Sequence, residues 1–292
     1  EKKHGIKKGF GNGLRADVWA QFVERTGISQ LVEFYGSTEG NVNFFNLDGK
    51  IGAVGRIPRL LRSKLPARIL KFDVETEEPV RGPDGLCIEA APDEPGEAVG
   101  PITHEPRQRF DGYNDEAQSK KKLLRDVFVK GDLWFRTGDL MKMDADGYVY
   151  FVDRVGDTFR WKGENVSTSE VEIAASSMPG VKHAIVYGVA VPGHDGRAGM
   201  AALTPREGID LAGLYTHLAA QLPAYARPIF LRLQGEVETT GTLKYRKVDL
   251  VTEGFDPSKT SDPLFVMDAD KGAYVPIDVP MFAKLMSGAH RF

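Results

Sequence analysis

The sequence holds a single cysteine, Cys87, in 292 residues. That excludes an internal disulfide framework and any multi-cysteine zinc site, and it fits a reducing, intracellular compartment. No segment approaches 18 uninterrupted apolar residues, the length at which a spanning helix is read. The N-terminal stretch has no basic-then-apolar pattern of the signal-peptide kind. Lysine and arginine (38) are outnumbered by aspartate and glutamate (41), giving a net charge of −3. No global basic field therefore points to nucleic acid. Internal repeats and low-complexity tracts are absent. The chain opens on Glu1 rather than Met, which reads as a start inside a longer protein. What remains is an ordinary globular composition, 41% hydrophobic and 27% charged, of a length for one large domain or two of usual size.

Hydrophobic spacing predicts a helix over about Arg15 to Arg25, with Leu14, Val18 and Phe22 sharing a face with Trp19 and Val23, stopped by Gly27. Leu31 to Tyr35 reads as a buried strand ending in the turn 36–40. Residues 50 to 110, rich in Pro and Gly with short runs such as Leu86-Cys87-Ile88, predict a small β-barrel or sheet, with Pro92 to Gly100 as a loop. Asp146-Gly147 predicts a hairpin leading into the strand 148–152. From Ser167 the character changes. Ser167 and Glu170, overlapping Ser169 and Glu172, form candidate capping boxes for a helix carrying Val171, Ala175 and Met178, ended by Pro179-Gly180. Strands are expected at 183–189, 199–203 and 229–233, with a helix capped by Asp210 and stopped by Pro223. The boundary between the halves is placed near 155.

Four clusters carry chemistry. Tyr35-Gly36-Ser37-Thr38-Glu39 sets an aromatic face, a hydroxyl and a carboxylate at a strand end, groups suited to a base, a phosphate and Mg²⁺; a polar turn with a core tyrosine explains it equally well. Asp139, in Thr137-Gly138-Asp139, is a good bidentate acceptor for vicinal ribose hydroxyls. Arg154 reaches the same sugar from the far strand of the hairpin, or the two form a plain salt bridge. Gly163, after Phe159-Arg160-Trp161-Lys162, passes close to an extended ligand or simply closes a hairpin. Thr239-Thr240-Gly241-Thr242-Leu243-Lys244 places one lysine on a flexible loop, and no Gly-Lys-Ser/Thr follows, so the nucleotide P-loop signature fails.

Taken in order, these motifs resemble the adenylate-forming superfamily of acyl-CoA synthetases, luciferases and peptide-synthetase adenylation domains. Within it the chain is most similar to the fatty acid transport protein / very-long-chain acyl-CoA synthetase family. The stretches 11–15, 33–41, 109–113, 134–139, 153–168, 195–200 and 222–228 carry that likeness, and the run from Asp153 to Thr168 is the most specific. The resemblance implies a fold of α/β and α+β parts. Residues 1–155 would be the distal part of the large AMP-binding domain, with a β-barrel-like subdomain. Residues 156–292 would be the small mobile C-terminal domain.

The same resemblance implies an ATP-dependent long- or very-long-chain fatty acid–CoA ligase, with ATP, Mg²⁺ and CoA. Tyr35 would stack on adenine, Thr38 contact the α-phosphate and Glu39 bind Mg²⁺. Asp139 and Arg154 would hold the ribose, with Phe151 near the base. Arg160 and the Gly163 turn would line the CoA path. Lys244 matches the adenylation lysine, since Thr240 precedes it by four and Lys247 follows by three, although Leu243 stands where the family has Gly. Gly156 occupies the hinge position, with Asp157 beside it. Lys244, Thr38 and Glu39 form the catalytic set. The family's earlier phosphate loop and most of its acyl pocket are absent, so the chain reads as the C-terminal portion of a longer enzyme. A ligase for another acid or a carrier protein, and a lipid-uptake or membrane-docking module without turnover, remain the alternatives.

One stretch stands apart. Lys50, Arg56, Arg59, Arg62, Lys64, Arg68 and Lys71 occur with no acidic residue from 49 to 72 and alternate with Leu60, Leu61, Leu65, Ile69 and Leu70. Such a surface suits anionic lipid, each cation contributing about 1 kcal/mol near the headgroups; a solvated face of β-structure suits it as well. The expectation is a cytoplasmic protein at a membrane surface.

Overall fold

The computed structural model describes residues 2–36, 41–105, 108–110, 120–206, 209–235, 247–290 and 292. They separate into two compact units, Glu1–Val155 and Gly156–Phe292.

In the first unit, β1 (Lys8–Gly11) and β2 (Gln30–Gly36) pair in parallel across the helix α1 (Ala16–Thr26). Strand β3 (Asn43–Asn46) adds antiparallel to β2. Gly27 caps α1 in the left-handed region, its N–H donating to the Val23 carbonyl. The buried face of α1 differs from the expected one. Trp19 packs on Ile28 and Leu31 with Leu14 and Val23 beside it, while Val18 and Phe22 stay exposed at 41% and 37%. The apolar stripe is wider than the contact this small sheet offers, so only its Trp19 side is covered.

A second, antiparallel sheet fills the rest of this unit. It contains β4 (Gly55–Arg56), β5 (Arg68–Asp73), β6 (Glu78–Pro79), β7 (Gly96–Pro101), β8 (Leu123–Arg125), β9 (Leu133–Met143) and β10 (Tyr148–Arg154). Among the described residues the order is β4-β10-β9-β7-β5-β6, with β8 also on β9. Period-two alternation sorts side chains to the two faces. Ile69, Ala98, Phe135, Met141 and Val149 join one core, and Leu70, Val99 and Trp134 another that includes Cys87.

With both faces covered, β7 is buried along nearly its whole length, which corrects the reading of 92–100 as a loop. The segment Gly96-Glu97-Ala98-Val99-Gly100 lacks bulky β-formers because neighbouring backbones press on it. A Cβ on Gly96 would lie 2.0 Å from the Leu70 carbonyl oxygen.

The second unit opens with a hairpin, β11 (Phe159–Trp161) and β12 (Glu164–Val166), whose two-residue turn is Lys162-Gly163, both at positive φ. Ser167 then caps α2 (Thr168–Ser176) by accepting the Glu170 N–H, so the first capping box is the one that starts the helix. This helix ends two residues short of Met178, which packs on the core instead. A five-stranded sheet follows in spatial order: β13 (Val181–Val189), β14 (Ala198–Pro205), β15 (Phe230–Leu233), β16 (Leu264–Asp268) and β17 (Ala273–Pro276). Among its described strands only β14 and β15 run parallel, joined through α3 (Leu211–Gln221), which Asp210 caps. Two more helices, α4 (Lys247–Glu253) and α5 (Val279–Met286), and strands β16 and β17 lie beyond the last element expected from sequence. Leu203, Leu214, Leu218, Phe230 and Leu231 centre a single core.

Candidate functional site

Strands β9 and β10 bring Asp139 and Arg154 into direct register. Neither strand is regular there. Across β7 and β9, Val99 pairs with Arg136 and Glu97 with Leu140. Ala98 alone therefore faces three residues, Thr137, Gly138 and Asp139, which loop out as a bulge. Bulges re-aim a side chain away from the ladder, and this one delivers the Asp139 carboxylate to the β2 strand end. The Tyr35 hydroxyl donates to Asp139 Oδ2 at 2.5 Å, and Arg154 Nε stands 3.8 Å from Oδ1. Burial, then the Asp139 charge and the hydrogen bond to it, push the Tyr35 phenol far above its ordinary value. Tyr35 is thus a fixed donor, and its ring is tilted against Phe44 at 5.8 Å.

Asp139 is 18% exposed and Arg154 53%. At that exposure and distance the pair contributes little to stability, about 0–1 kcal/mol. A carboxylate offers about four acceptor positions over two oxygens. Tyr35 takes one, and acceptor capacity remains on this partly exposed carboxylate, as two vicinal hydroxyls require. Phe151 lies on β10 opposite Met141, 39% exposed.

The bulge is held by a set of contacts that the sequence reading did not pick out. Glu97, 1% exposed, accepts the Gly138 N–H at 3.2 Å and two bonds from Arg136 Nε at 2.9 and 3.2 Å. Thr137 Oγ1 donates to the Ala98 carbonyl and accepts the Asp139 N–H, while Lys122 Nζ donates to the Thr137 carbonyl. The Gly138 carbonyl accepts the Val155 N–H at 2.9 Å. Gly138 sits at φ 77°, a region that disfavours side chains. The available signal was a lone carboxylate among small residues in Gly96–Gly100.

In the second unit Arg160 Nε donates to the Gly163 carbonyl across its own hairpin turn, and among the described residues nothing beyond its chain neighbours stands within 4 Å of the place a Gly163 Cβ would occupy. Asp157 accepts from Lys247 Nζ at 3.1 Å, and the same ammonium reaches Thr168 Oγ1 at 3.2 Å and Glu172 Oε1 at 3.3 Å. Glu172 also accepts the Val186 N–H, so α2, α4 and the start of this unit meet on one lysine, with β13 tied in through Glu172. Gly156 has φ 87°. Thr38, Glu39 and Lys244 lie outside the described residues.

The basic stretch is less uniformly cationic than its sequence. Arg56 pairs with Asp48, Arg62 with Glu89 and Lys71 with Glu94. Arg68 donates to the carbonyls of Leu65 and Ala67, and burial, with Arg62 nearby, lowers its pKa. Lys50 stands over the Tyr148 ring, 5.5 Å from its centroid. Leu60, on the short 3₁₀ turn Arg59–Leu61, is 95% exposed.

Residues 170–244 match the AMP-binding enzyme C-terminal domain. Long-chain fatty acid transport protein 1 of Mus musculus is 48% identical over 290 residues, covering 99% of this chain and 45% of that protein. ATP-bound MatB from Rhodopseudomonas palustris superposes with a TM-score of 0.65 at 26% identity, over 86% of this chain and 46% of that one. The o-succinylbenzoate–coenzyme A synthetase MenE of Bacillus subtilis, solved with ATP and magnesium, shares the fold with a TM-score of 0.61 at 20% identity, over 82% and 45%. No helix of the described residues is long and apolar enough to cross a membrane. With identity near one half along almost its whole length, the chain is similar from end to end to the long-chain fatty acid transport proteins, and it spans somewhat less than half the length of the relatives it matches.

Proposed function

We propose that the protein carrying this chain is an ATP-dependent ligase that joins long or very long fatty acids to CoA. Residues 1–155 are then the distal part of its AMP-binding domain and 156–292 its mobile C-terminal domain. Carboxylate and ATP give acyl-AMP and pyrophosphate in the first half-reaction, and the CoA thiol displaces AMP in the second. The observation that carries this reading is the convergence of Tyr35, Asp139 and Arg154 from three strands. Asp139 accepts the ribose hydroxyls, Arg154 donates to the same sugar, and Tyr35 and Phe151 present aromatic surface for the base. Thr38 and Lys244 bind and polarise the α-phosphate. Glu39 is the carboxylate for Mg²⁺, which when bound neutralises phosphate charge.

Gly156 is the first residue of the second unit, and its left-handed φ is accessible to glycine at little cost. Asp157 is tied to Lys247 within that unit, so Gly156 is the pivot between half-reactions. Arg160 and the Gly163 turn border the CoA path. Removing a hydrogen bond to a charged group costs about 1.5–3 kcal/mol. Asp139→Ala in the full-length protein therefore raises the KM for ATP by about 10- to 100-fold in ATP–pyrophosphate exchange. An unchanged KM would remove Asp139 from the nucleotide site. Exchange that is absent with every acid tested would favour a lipid-uptake module without turnover, and exchange without CoA acceptance a carrier-protein ligase.

A second reading concerns the turn at 59–65. Leu60, with Leu61 and Leu65 half-exposed, lies beside Arg59 and Lys64 on a stretch without acidic residues. This knuckle rests on the cytoplasmic, anionic face of a membrane, with Leu60 entering the headgroup boundary. Fully burying a leucine is worth about 1.5–3 kcal/mol, so Leu60→Asp lowers cosedimentation of the full-length protein with phosphatidylserine vesicles about tenfold or more. Equal binding by wild type and Leu60→Asp would return the stretch to a solvated face.

A further inference from the structure

We propose that Glu97 is a positioning residue for Asp139, its buried carboxylate splinting the Thr137-Gly138-Asp139 bulge into the shape that receives a ribose. The inference rests on the reading of Asp139 as the ribose acceptor and adds a residue that never touches the nucleotide.

A three-residue bulge facing one residue has more backbone freedom than a regular ladder, and its N–H groups lose their cross-strand acceptors. Here the Gly138 N–H, which has no ladder partner, points at Glu97 Oε1, 3.2 Å away. Glu97 stands on β7 immediately before Ala98, the residue that the bulge spans. Its carboxylate is locked in turn by Arg136, the residue immediately before the bulge, through bonds of 2.9 and 3.2 Å. One carboxylate thus ties the first flank of the bulge to its middle. The second flank is fixed by Thr137, whose hydroxyl accepts the Asp139 N–H at 3.1 Å while donating to Ala98.

A carboxylate buried to 1% exposure is costly unless it is fully bonded. A merely structural strand would do as well with an apolar residue at 97. The position has instead a charged group that accepts from a backbone N–H and a guanidinium together. Glu78 binds the same Arg136 at 3.0 Å from the exposed side without reaching Gly138, which makes it a built-in control.

The test compares ATP with 2′,3′-dideoxy-ATP in the full-length protein by calorimetric titration. A site that hydrogen-bonds the ribose through a charged group prefers ATP by about 10- to 100-fold. Asp139→Asn abolishes that preference. Glu97→Gln narrows it at least about threefold, because a neutral amide holds Arg136 and Gly138 less firmly, and Thr137→Val narrows it from the other flank. Glu78→Gln leaves it at the wild-type value. Loss of stability alone would weaken both nucleotides equally, so the ratio separates positioning from unfolding. If Asp139→Asn keeps the preference, the ribose reading itself fails. If Asp139→Asn abolishes it while Glu97→Gln retains the wild-type ratio, the splint is overturned and the ribose reading stands, whatever Thr137→Val does.

Discussion

Lys244→Ala in the full-length protein lowers adenylate formation by about 10²- to 10³-fold, the usual cost of one charged contact to a developing anion. Thioester formation from supplied acyl-AMP stays near wild type if, as proposed, the C-terminal domain turns between the half-reactions and Lys244 serves the first of them. The rival assignment puts this role on Lys247, three residues later, given the Leu243 departure. Its surroundings argue against that. The Lys247 ammonium is shared among Asp157, Glu172 and Thr168 within 3.3 Å and is 25% exposed. A lysine so engaged would have to give up two carboxylates to reach a substrate. Lys247→Ala therefore lowers stability by about 1–2 kcal/mol, discounted for partial exposure, and slows both half-reactions together. Pre-steady-state measurement of the two steps in each variant checks this. Selective loss of adenylation in Lys247→Ala with normal kinetics in Lys244→Ala would exchange the two assignments.

How far such a site can be read from sequence depends on how local its contacts are. Asp139 and Arg154 lie almost symmetrically about the Asp146-Gly147 turn, so a regular hairpin already brings them within one residue of each other. What the pattern cannot show is the irregularity at Val152 and the bulge opposite Ala98, which set Asp139 opposite Arg154 and let its carboxylate meet Tyr35. The Tyr35–Asp139 bond joins residues 104 positions apart, and no periodicity encodes such a meeting. Capping residues were legible because their partners are three residues away or fewer, as for Ser167 and Asp210. Strand β7 was not, because close backbone packing selected glycine and alanine where the usual strand signal calls for branched side chains. On α1, spacing identified the apolar stripe, whereas the width of the sheet beneath decided which part of it is buried.

Arg136→Met destabilises the first unit by about 3–5 kcal/mol at neutral pH, the cost of leaving a buried carboxylate without its partner. Arg136 is 14% exposed and bridges Glu97 and Glu78, and their charges hold its guanidinium ionised despite burial. Burial pushes the Glu97 carboxyl above its ordinary value, while Arg136, Gly138 and Lys122 pull it back. Without Arg136 the largest opposing influence is gone and the shift grows. An acid whose folded pKa exceeds its unfolded value, about 4.3, adds stability fully below that value and loses it as pH rises through the folded pKa. The gap between wild type and Arg136→Met is thus widest near pH 7.5 and narrows toward pH 5. Glu33, also raised by burial, titrates in both proteins and cancels from the difference. Adding Glu97→Gln to Arg136→Met removes the buried charge and recovers part of the loss, which a double-mutant cycle isolates. Urea denaturation at the two pH values reads all four proteins. A gap independent of pH, with no recovery from Glu97→Gln, would show that Arg136 acts through packing of its stem rather than through the carboxylate that shapes the site.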